Sequence, residues 1–300
     1  MNCALFGLGR VGLIHYNSIQ NNKFLKLKYI YDVNIKNLQN KINQPQLLTD
    51  SIEEILYDSD IKFVIISTPI LTHYELTKSC LQHMKHVLCE NTISQKEGEI
   101  IECYNLAHKN KLVLLSVLNK RFDPNIIDMK FNYKLKNIGI VFNILIINHD
   151  NLLQNKNEDN IFDELAYYDI DYINWILNDK PISVYVTGNK TTNIIIIFEY
   201  SDGKIVNLNC SKVSNNFKHR VEIFGEQGTL KIEDNSELIH ERLNQTYQNQ
   251  LEYFINVITH KEKNKVRKDN NINCIKILYA CKKSYQINII IFSYFIFFFM

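Results

Sequence analysis

Three hundred residues exceed what one hydrophobic core usually serves, so two domains are expected, each able to bury a core of its own. Apolar residues make up 46% and charged ones 22%, ordinary globular usage that argues against a disordered or collagen-like chain. Lys plus Arg (34) against Asp plus Glu (32) leaves +2, too little for the phosphate-neutralising surface that nucleic-acid binding demands.

The chain begins with a short apolar strand, Cys3 to Phe6, and no basic leader or cleavage site precedes it; a cytoplasmic, reducing setting is expected. Cys3, Cys80, Cys89, Cys103, Cys210, Cys274 and Cys281 form no Cys-x-x-Cys pair and have no histidine at ligand spacing. They read as reduced, mostly buried thiols, and no metal is expected. The strand enters Gly7-Leu8-Gly9-Arg10-Val11-Gly12, and Val11, Leu13, Ile14 and His15 leave it as a helix. Only nine glycines occur in the chain, so chance would give a GxGxxG in roughly one such sequence in a hundred. A strand, this turn and a helix together aim backbone N–H groups at a pyrophosphate. Gly7 permits the tight turn, Gly9 the close approach of phosphate and Gly12 the packing of helix on strand.

Twenty residues beyond Gly12, the strand Leu27 to Tyr31 ends at Asp32, whose carboxylate can accept from both hydroxyls of an adenosine ribose and would repel a 2′-phosphate. No Arg follows closely, which favours NAD over NADP. Ser51 and Glu54 are spaced as a capping box before a short helix, and Phe63 to Ser67 is the next strand. Thr68-Pro69 breaks it. Thr72 and Glu75 make a second capping box for a helix through His83, followed by the strand His86 to Cys89. Strands alternating with helices predict a doubly wound parallel sheet, and residues 1–118 are assigned to this Rossmann domain.

Six stretches then fall in a recognisable order: Gly7 to Gly12; Ser67-Thr68-Pro69 with Thr72-His73-Tyr74-Glu75; Lys85 to Glu90; Arg121-Phe122-Asp123-Pro124; Asp169-Ile170-Asp171 with Trp175; and Phe224 to Leu230. Over nearly its whole length the chain resembles the glucose-fructose oxidoreductase, inositol dehydrogenase and MocA (Gfo/Idh/MocA) family, in particular its inositol 2-dehydrogenase-like branch. The resemblance implies NAD as cofactor, with Gly7, Gly9, Arg10, Val11, Gly12, Asp32, Thr68, Pro69, His73 and Glu90 around it. It also implies a polyol or sugar-like alcohol as substrate, and a C-terminal α/β domain whose large, mostly antiparallel sheet carries the substrate pocket and a homo-oligomer interface. Neither nucleic acid nor membrane is an expected partner.

The sequence agrees with that second domain, assigned to residues 119–286. Ile138 to Asn148, Thr192 to Tyr200, Lys204 to Lys212, Arg220 to Gly225 and Thr229 to Ile232 are apolar or alternating runs rich in Ile and Val, hence strands. Helices are expected around 161–178, 246–260 and 272–286, and the charge run Lys261 to Lys268 reads as a solvated loop. Residues 287–300 form a tail. Its apolar part, Ile289 to Met300, is shorter than the roughly 20 residues a spanning helix needs, so a buried or ragged terminus is expected rather than an anchor.

The catalytic segments depart from the family pattern. Where the family has Glu-Lys-Pro this chain has Glu90-Asn91-Thr92. Asn91 can donate a hydrogen bond but supplies no charge for the substrate oxygen, and the missing proline alters the expected turn. The family's Asp-x-x-x-His-Asp falls on Glu164 to Asp169, with Glu164 for the Asp and Tyr168 for the His. Spacing of four keeps both on one helix face. Tyr168 becomes the acid–base candidate, yet a phenol titrates near 10 and needs a neighbouring cation. Lys120 would serve if it pointed inward, although a solvent-facing side chain is the simpler expectation. Asp159-Asn160 stand where the family has two glycines. His73 reads as a first-turn helix residue, and His149 with Asp150 as a loop beyond a strand. Two functions remain open: an NAD-dependent dehydrogenase, or a non-catalytic NAD-binding protein with a sensing or interaction role.

Overall fold

The computed structural model describes the chain except residues 36–37, 152–160, 235–238 and 293–300. Two units are distinct: Met1–Asn119 with Asn244–Ile272, and Lys120–Leu243 with Asn273–Met300.

In the first unit six parallel strands lie in the order β3-β2-β1-β4-β5-β6. These are β1 (Asn2–Phe6), β2 (Lys26–Tyr31), β3 (Leu48–Thr49), β4 (Phe63–Ile66), β5 (His86–Glu90) and β6 (Leu114–Val117). The helices are α1 (Arg10–Gln20), α2 (Ile52–Tyr57), α3 (His73–Gln82) and α4 (Glu97–Lys109). Every residue of β4 is buried, the continuous apolar run required of a strand covered on both faces. The order reverses between β1 and β4, which makes the switch point where doubly wound sheets bind ligands.

The capping chemistry is only half as expected. Ser51 accepts from the Glu54 N–H at 3.4 Å, but the Glu54 carboxylate accepts from Thr49 Oγ1 at 2.6 Å instead of closing the box. Thr72 caps nothing: its hydroxyl turns back to Thr68 Oγ1 and the Pro69 carbonyl, both at 2.8 Å, and α3 starts at His73.

Most of α7 (Ile239–Ile258) belongs to this unit, not to the second as a boundary at 118 implies. Its buried stripe explains the placement. Tyr247, Gln250, Leu251, Phe254 and Val257 recur at helical spacing. Tyr247 meets the His15 ring edge-on at 5.0 Å and Phe254 meets Phe63 at 5.5 Å. The charge run at 261–268 is largely exposed, as a solvated loop should be.

The second unit holds a seven-stranded sheet, ordered β12-β11-β7-β10-β9-β8-β13. Its strands are β7 (Val141–Asn151), β8 (Ser183–Asn189), β9 (Asn193–Glu199), β10 (Ile205–Ser211), β11 (Val213–Gly225), β12 (Gly228–Asp234) and β13 (Ile291–Phe292). All neighbours are antiparallel except β7 and β10. Alternation divides the sheet into a buried face, with Ile144, Ile146, Ile194, Ile196, Val206 and Leu208, and an outer face of Leu145, Ile147, Ile195 and Ile197. Its helices are α5 (Pro124–Lys134), α6 (Tyr167–Leu177) and most of α8 (Lys268–Ile287); a π-helical turn, Phe162–Ala166, leads into α6. Strand β7 runs on to Asn151, so His149 and Asp150 lie within a strand and not in a loop beyond it.

All seven cysteines are free and buried. Among the described residues no helix is long and apolar enough to cross a membrane, and no cluster of His, Cys, Asp or Glu could hold a metal.

Candidate functional site

The glycine turn is locked to the strand ends around it. Gly7 N donates to the Tyr31 carbonyl at 2.8 Å, and Ser67 Oγ donates to the carbonyls of Phe6 and Gly7 at 3.1 and 2.9 Å. Gly7 has φ +87°, and a Cβ there would stand 2.8 Å from the Ser67 carbonyl oxygen. On Gly12 a Cβ would come within 2.1 Å of the Gly7 oxygen. At Gly9, the N-cap of α1, a Cβ would meet nothing within 4 Å. Two glycines are thus needed for packing, and the middle one leaves open space. Helix α1 has no side-chain cap and no acid in its first turn, so its N–H groups and dipole face that space unanswered. Arg10 is exposed and Val11 half-buried at the same helix start.

Asp32 follows β2 and turns toward the glycine turn. Its Oδ2 accepts from Leu8 N at 2.8 Å and its Oδ1 from Asn34 N at 2.8 Å. Each oxygen keeps a lone pair for a further donor. Val33 and Leu71, next to Asp32 and to the Thr68-Pro69 break, are 78% and 93% exposed apolar side chains on the loops that leave β2 and β4. Sequence reasoning passed over both, although an apolar residue directly after a strand-end acid was a readable signal.

His73 and Glu90, both expected around the cofactor, are also tied into the protein itself. The buried His73 ring places Nε2 2.7 Å from the Thr68 carbonyl oxygen and Nδ1 2.9 Å from that of Thr92, bracing the loops after β4 and β5. Glu90 Oε1 accepts from Gln250 Nε2 at 2.7 Å and lies 2.7 Å from His15 Nε2, committed to a buried cluster. His73 thus holds backbone in place, and Glu90 ties the end of β5 to side chains of α1 and α7. Asn91 has φ +60°, a left-handed conformation that asparagine tolerates better than most residues. Its backbone oxygen accepts from Ser116 Oγ at 3.1 Å, and its buried Oδ1 has no hydrogen-bond partner among the described residues.

Within the second unit, Glu164 sits in the π-helical turn and the half-buried Tyr168 in the first turn of α6. Such π segments occur frequently at functional sites. Glu164 forms an ion pair with Lys212, a buried residue just after β10 that sequence reasoning did not single out. The Tyr168 ring meets Tyr167 edge-on at 6.3 Å.

Lys120 points inward, against the simpler expectation of a solvent-facing side chain. Its Nζ donates to Asp169 Oδ1 at 2.6 Å and lies 5.1 Å from the centre of the Tyr172 ring. Asn148 Nδ2 donates to the other Asp169 oxygen at 2.5 Å, and His219 Nε2 lies 3.4 Å from Oδ1. Complete burial opposes ionisation of Asp169, but Lys120 and His219 outweigh it and hold the carboxyl at about 2. The chain of charge continues through His219 Nδ1, 3.1 Å from Asp234, to Arg242, which binds both Asp234 oxygens and Asp123. Burial opposes the Asp234 charge as well, and Arg242 and His219 keep it far below the usual carboxylate range. His149 Nε2 lies 3.1 Å from Asn209 Oδ1 across the strands, a structural contact. Asp159 and Asn160 fall outside the described residues.

The dinucleotide cradle therefore fits NAD: a turn that only glycine can make, an open approach at Gly9, an uncapped helix and an oriented acid. Comparison with known proteins agrees. Residues 1–118 match the family described as an oxidoreductase family with an NAD-binding Rossmann fold, and residues 146–231 match the GFO/IDH/MocA C-terminal domain. An uncharacterised oxidoreductase of Bacillus subtilis is 24% identical over 78% of this chain and 73% of its own. The myo-inositol 2-dehydrogenase of Thermotoga maritima is 22% identical over 95% of this chain and 96% of its own. The structure of scyllo-inositol dehydrogenase from Lactobacillus casei with bound NAD(H) and scyllo-inositol superimposes with a TM-score of 0.88 at 18% identity, covering 97% of this chain and 98% of that one.

Proposed function

We propose, since the chain belongs to the Gfo/Idh/MocA oxidoreductase family by both of its domains, that it is an NAD-dependent dehydrogenase of a polyol or sugar-like alcohol. The observation that carries the proposal is the intact cradle with Asp32 held against Leu8. The diphosphate would lie over Gly9 and the first turn of α1, the ribose hydroxyls on Asp32, and the base beside Val33 and Leu71. When bound, NAD⁺ supplies the acceptor for the hydrogen that leaves the carbinol carbon with its electron pair. Tyr168, as its phenolate, takes the hydroxyl proton and becomes a neutral phenol, and Glu164, fixed by Lys212, accepts a hydrogen bond from the substrate. Asn91 can donate its amide N–H to a hydroxyl but cannot move a proton. The inositol dehydrogenases among the relatives support a ring polyol as the substrate class.

The free, buried thiols suit a reducing cytoplasm. The outer face of the seven-stranded sheet, where Ile195, Asn209 and Ile147 align in one row and Ile197, Asn207 and Leu145 in the next, suits a homo-oligomer, which light scattering on the purified chain would test. A second reading, a non-catalytic NAD-binding protein, is favoured by the uncharged Asn91.

Turnover chooses between the two. Nicotinamide absorbance is followed with myo-inositol, scyllo-inositol and a sugar panel for wild type, Tyr168→Phe and Asn91→Lys. Wild-type turnover that falls about 10²–10⁴-fold in Tyr168→Phe supports the dehydrogenase. A wild type that binds NAD and reduces none of it, beside an Asn91→Lys that does, establishes the second reading.

A further inference from the structure

Lys212 is buried to 4% exposure immediately after β10, and its ammonium is paired with Glu164. An interior ion pair is a poor source of stability, because apolar residues of the same volume usually do as well, so its chemical use is the better question. Glu164 stands four residues before Tyr168. A spacing of four is close to one full rotation across a π turn that runs into an α-helix, so both side chains project from one face. An unbalanced carboxylate there would oppose formation of the Tyr168 phenolate, since like charges disfavour one another. His149 of β7 lies in register with Ser211, with Asp150 following it beside Lys212, and the charges on and around α6 have partners of their own. Lys120 and His219 serve Asp169, Lys282 of α8 serves Asp163, Arg121 serves Asp171, and Lys130 of α5 lies over the Trp175 ring. The Cys210 and Cys274 thiols and the Tyr172 phenol are pushed far up by burial and stay neutral.

We propose that Lys212 is the positioning cation of the acid–base face: it balances Glu164 and so lets Tyr168 give up its proton, a charge that Asn91 does not carry. Its use in turnover rests on the dehydrogenase reading; the coupling of the three side chains does not, and can be read without substrate.

The test is an ultraviolet difference titration of tyrosinate on the full chain. Each variant is paired with its Tyr168→Phe counterpart so that this one phenol is isolated. Lys212→Met is expected to move the Tyr168 midpoint up by about one pH unit, Lys212→Arg to leave it in place, and Glu164→Gln to move it down. Opposite signs from the two partners are what a merely structural role does not give. A Tyr168 midpoint unmoved in Lys212→Met, with an unchanged thermal midpoint, overturns the proposal. Should Lys212→Met fail to fold, Glu164→Gln decides alone: a fall supports the proposal and no change overturns it. Failure of the dehydrogenase reading would appear separately, as NAD binding without turnover in wild type, whatever the midpoints do.

Discussion

The two units build their sites from different materials. In the parallel-sheet unit the cradle is mostly backbone, with Asp32 as its acid: Gly7, Gly9 and Gly12 contribute by having no side chain, and His73 and Glu90 hold the neighbouring loops and strand end. In the antiparallel-sheet unit the face proposed for acid–base work is entirely side chain, with Glu164 paired to Lys212 and Asp169 to Lys120. A backbone site fixes residue type, since any Cβ at Gly12 collides. A side-chain site can be rewired by moving a charge to another element, and here the proposed cation comes from the end of a strand.

The largest effect that could break this contrast belongs to the glycines. Gly12→Ala is expected to destabilise the first unit by about 3 kcal/mol, the upper range for overpacking, and to abolish NAD binding. Gly9→Ala, whose added methyl meets nothing of the protein, should leave the thermal midpoint in place and weaken NAD about tenfold by filling the approach. Melting curves and calorimetric titration check both. Equal loss of stability in the two variants would remove the distinction between packing glycine and ligand glycine. Asp32→Ala comes next. It loses hydrogen bonds to a charged acceptor, so NAD affinity should fall about 10–100-fold while NADP, no longer repelled, gains relative to NAD. An unchanged preference would mean that the acid does not face the ribose.

The same division explains what could be read from the sequence. The Rossmann order and the glycine turn were legible because both follow from local patterning: scarce glycines in one window, and apolar runs at strand spacing. The second sheet was legible as strands of Ile and Val, but β8 was not, because its outward positions Tyr185 and Thr187 and its Gly188 hide the alternation. The assignment of α7 was missed because its buried stripe says only that the helix packs, not against which sheet. The inward turn of Lys120 and the whole role of Lys212 were hidden for a related reason. A lysine in sequence reads as solvated, and only the fold supplies the carboxylates, buried Asp169 and half-buried Glu164, that draw each one inward.

Acid titration sharpens the comparison from the side-chain unit. The Asp169 carboxyl, held at about 2 against an ordinary 3.8, contributes stability that is complete above pH 4 and is lost as pH falls toward 2. The contribution is about 2 kcal/mol. Trp175, the single tryptophan, lies on the same helix, so its fluorescence reports this unit directly. Urea midpoints followed by that signal should fall between pH 4 and 2 in wild type and stay flatter in Asp169→Asn, which starts lower at neutral pH because Lys120 loses its counter-charge. Equal slopes would place the acid sensitivity elsewhere.

The smallest effect sits at Asn91, where backbone and side-chain demands meet in one residue. With φ +60° the position disfavours a branched or long side chain, yet Lys111 and Lys136 hold similar left-handed angles at helix ends, so lysine is tolerated at a cost. Asn91→Lys should therefore lose about 1 kcal/mol and Asn91→Gly nearly none. Melting curves measure that cost independently of catalysis, which separates two explanations for a change in turnover. If Asn91→Lys melts lower and turnover is unaltered, the backbone chose asparagine and the acid–base face works without an ammonium there. If it melts lower and turnover rises, the missing charge limits the wild type, and the loop bears a strain cost that the chemistry outweighs. A variant as stable as wild type would show that the left-handed angle is not what holds asparagine at this position.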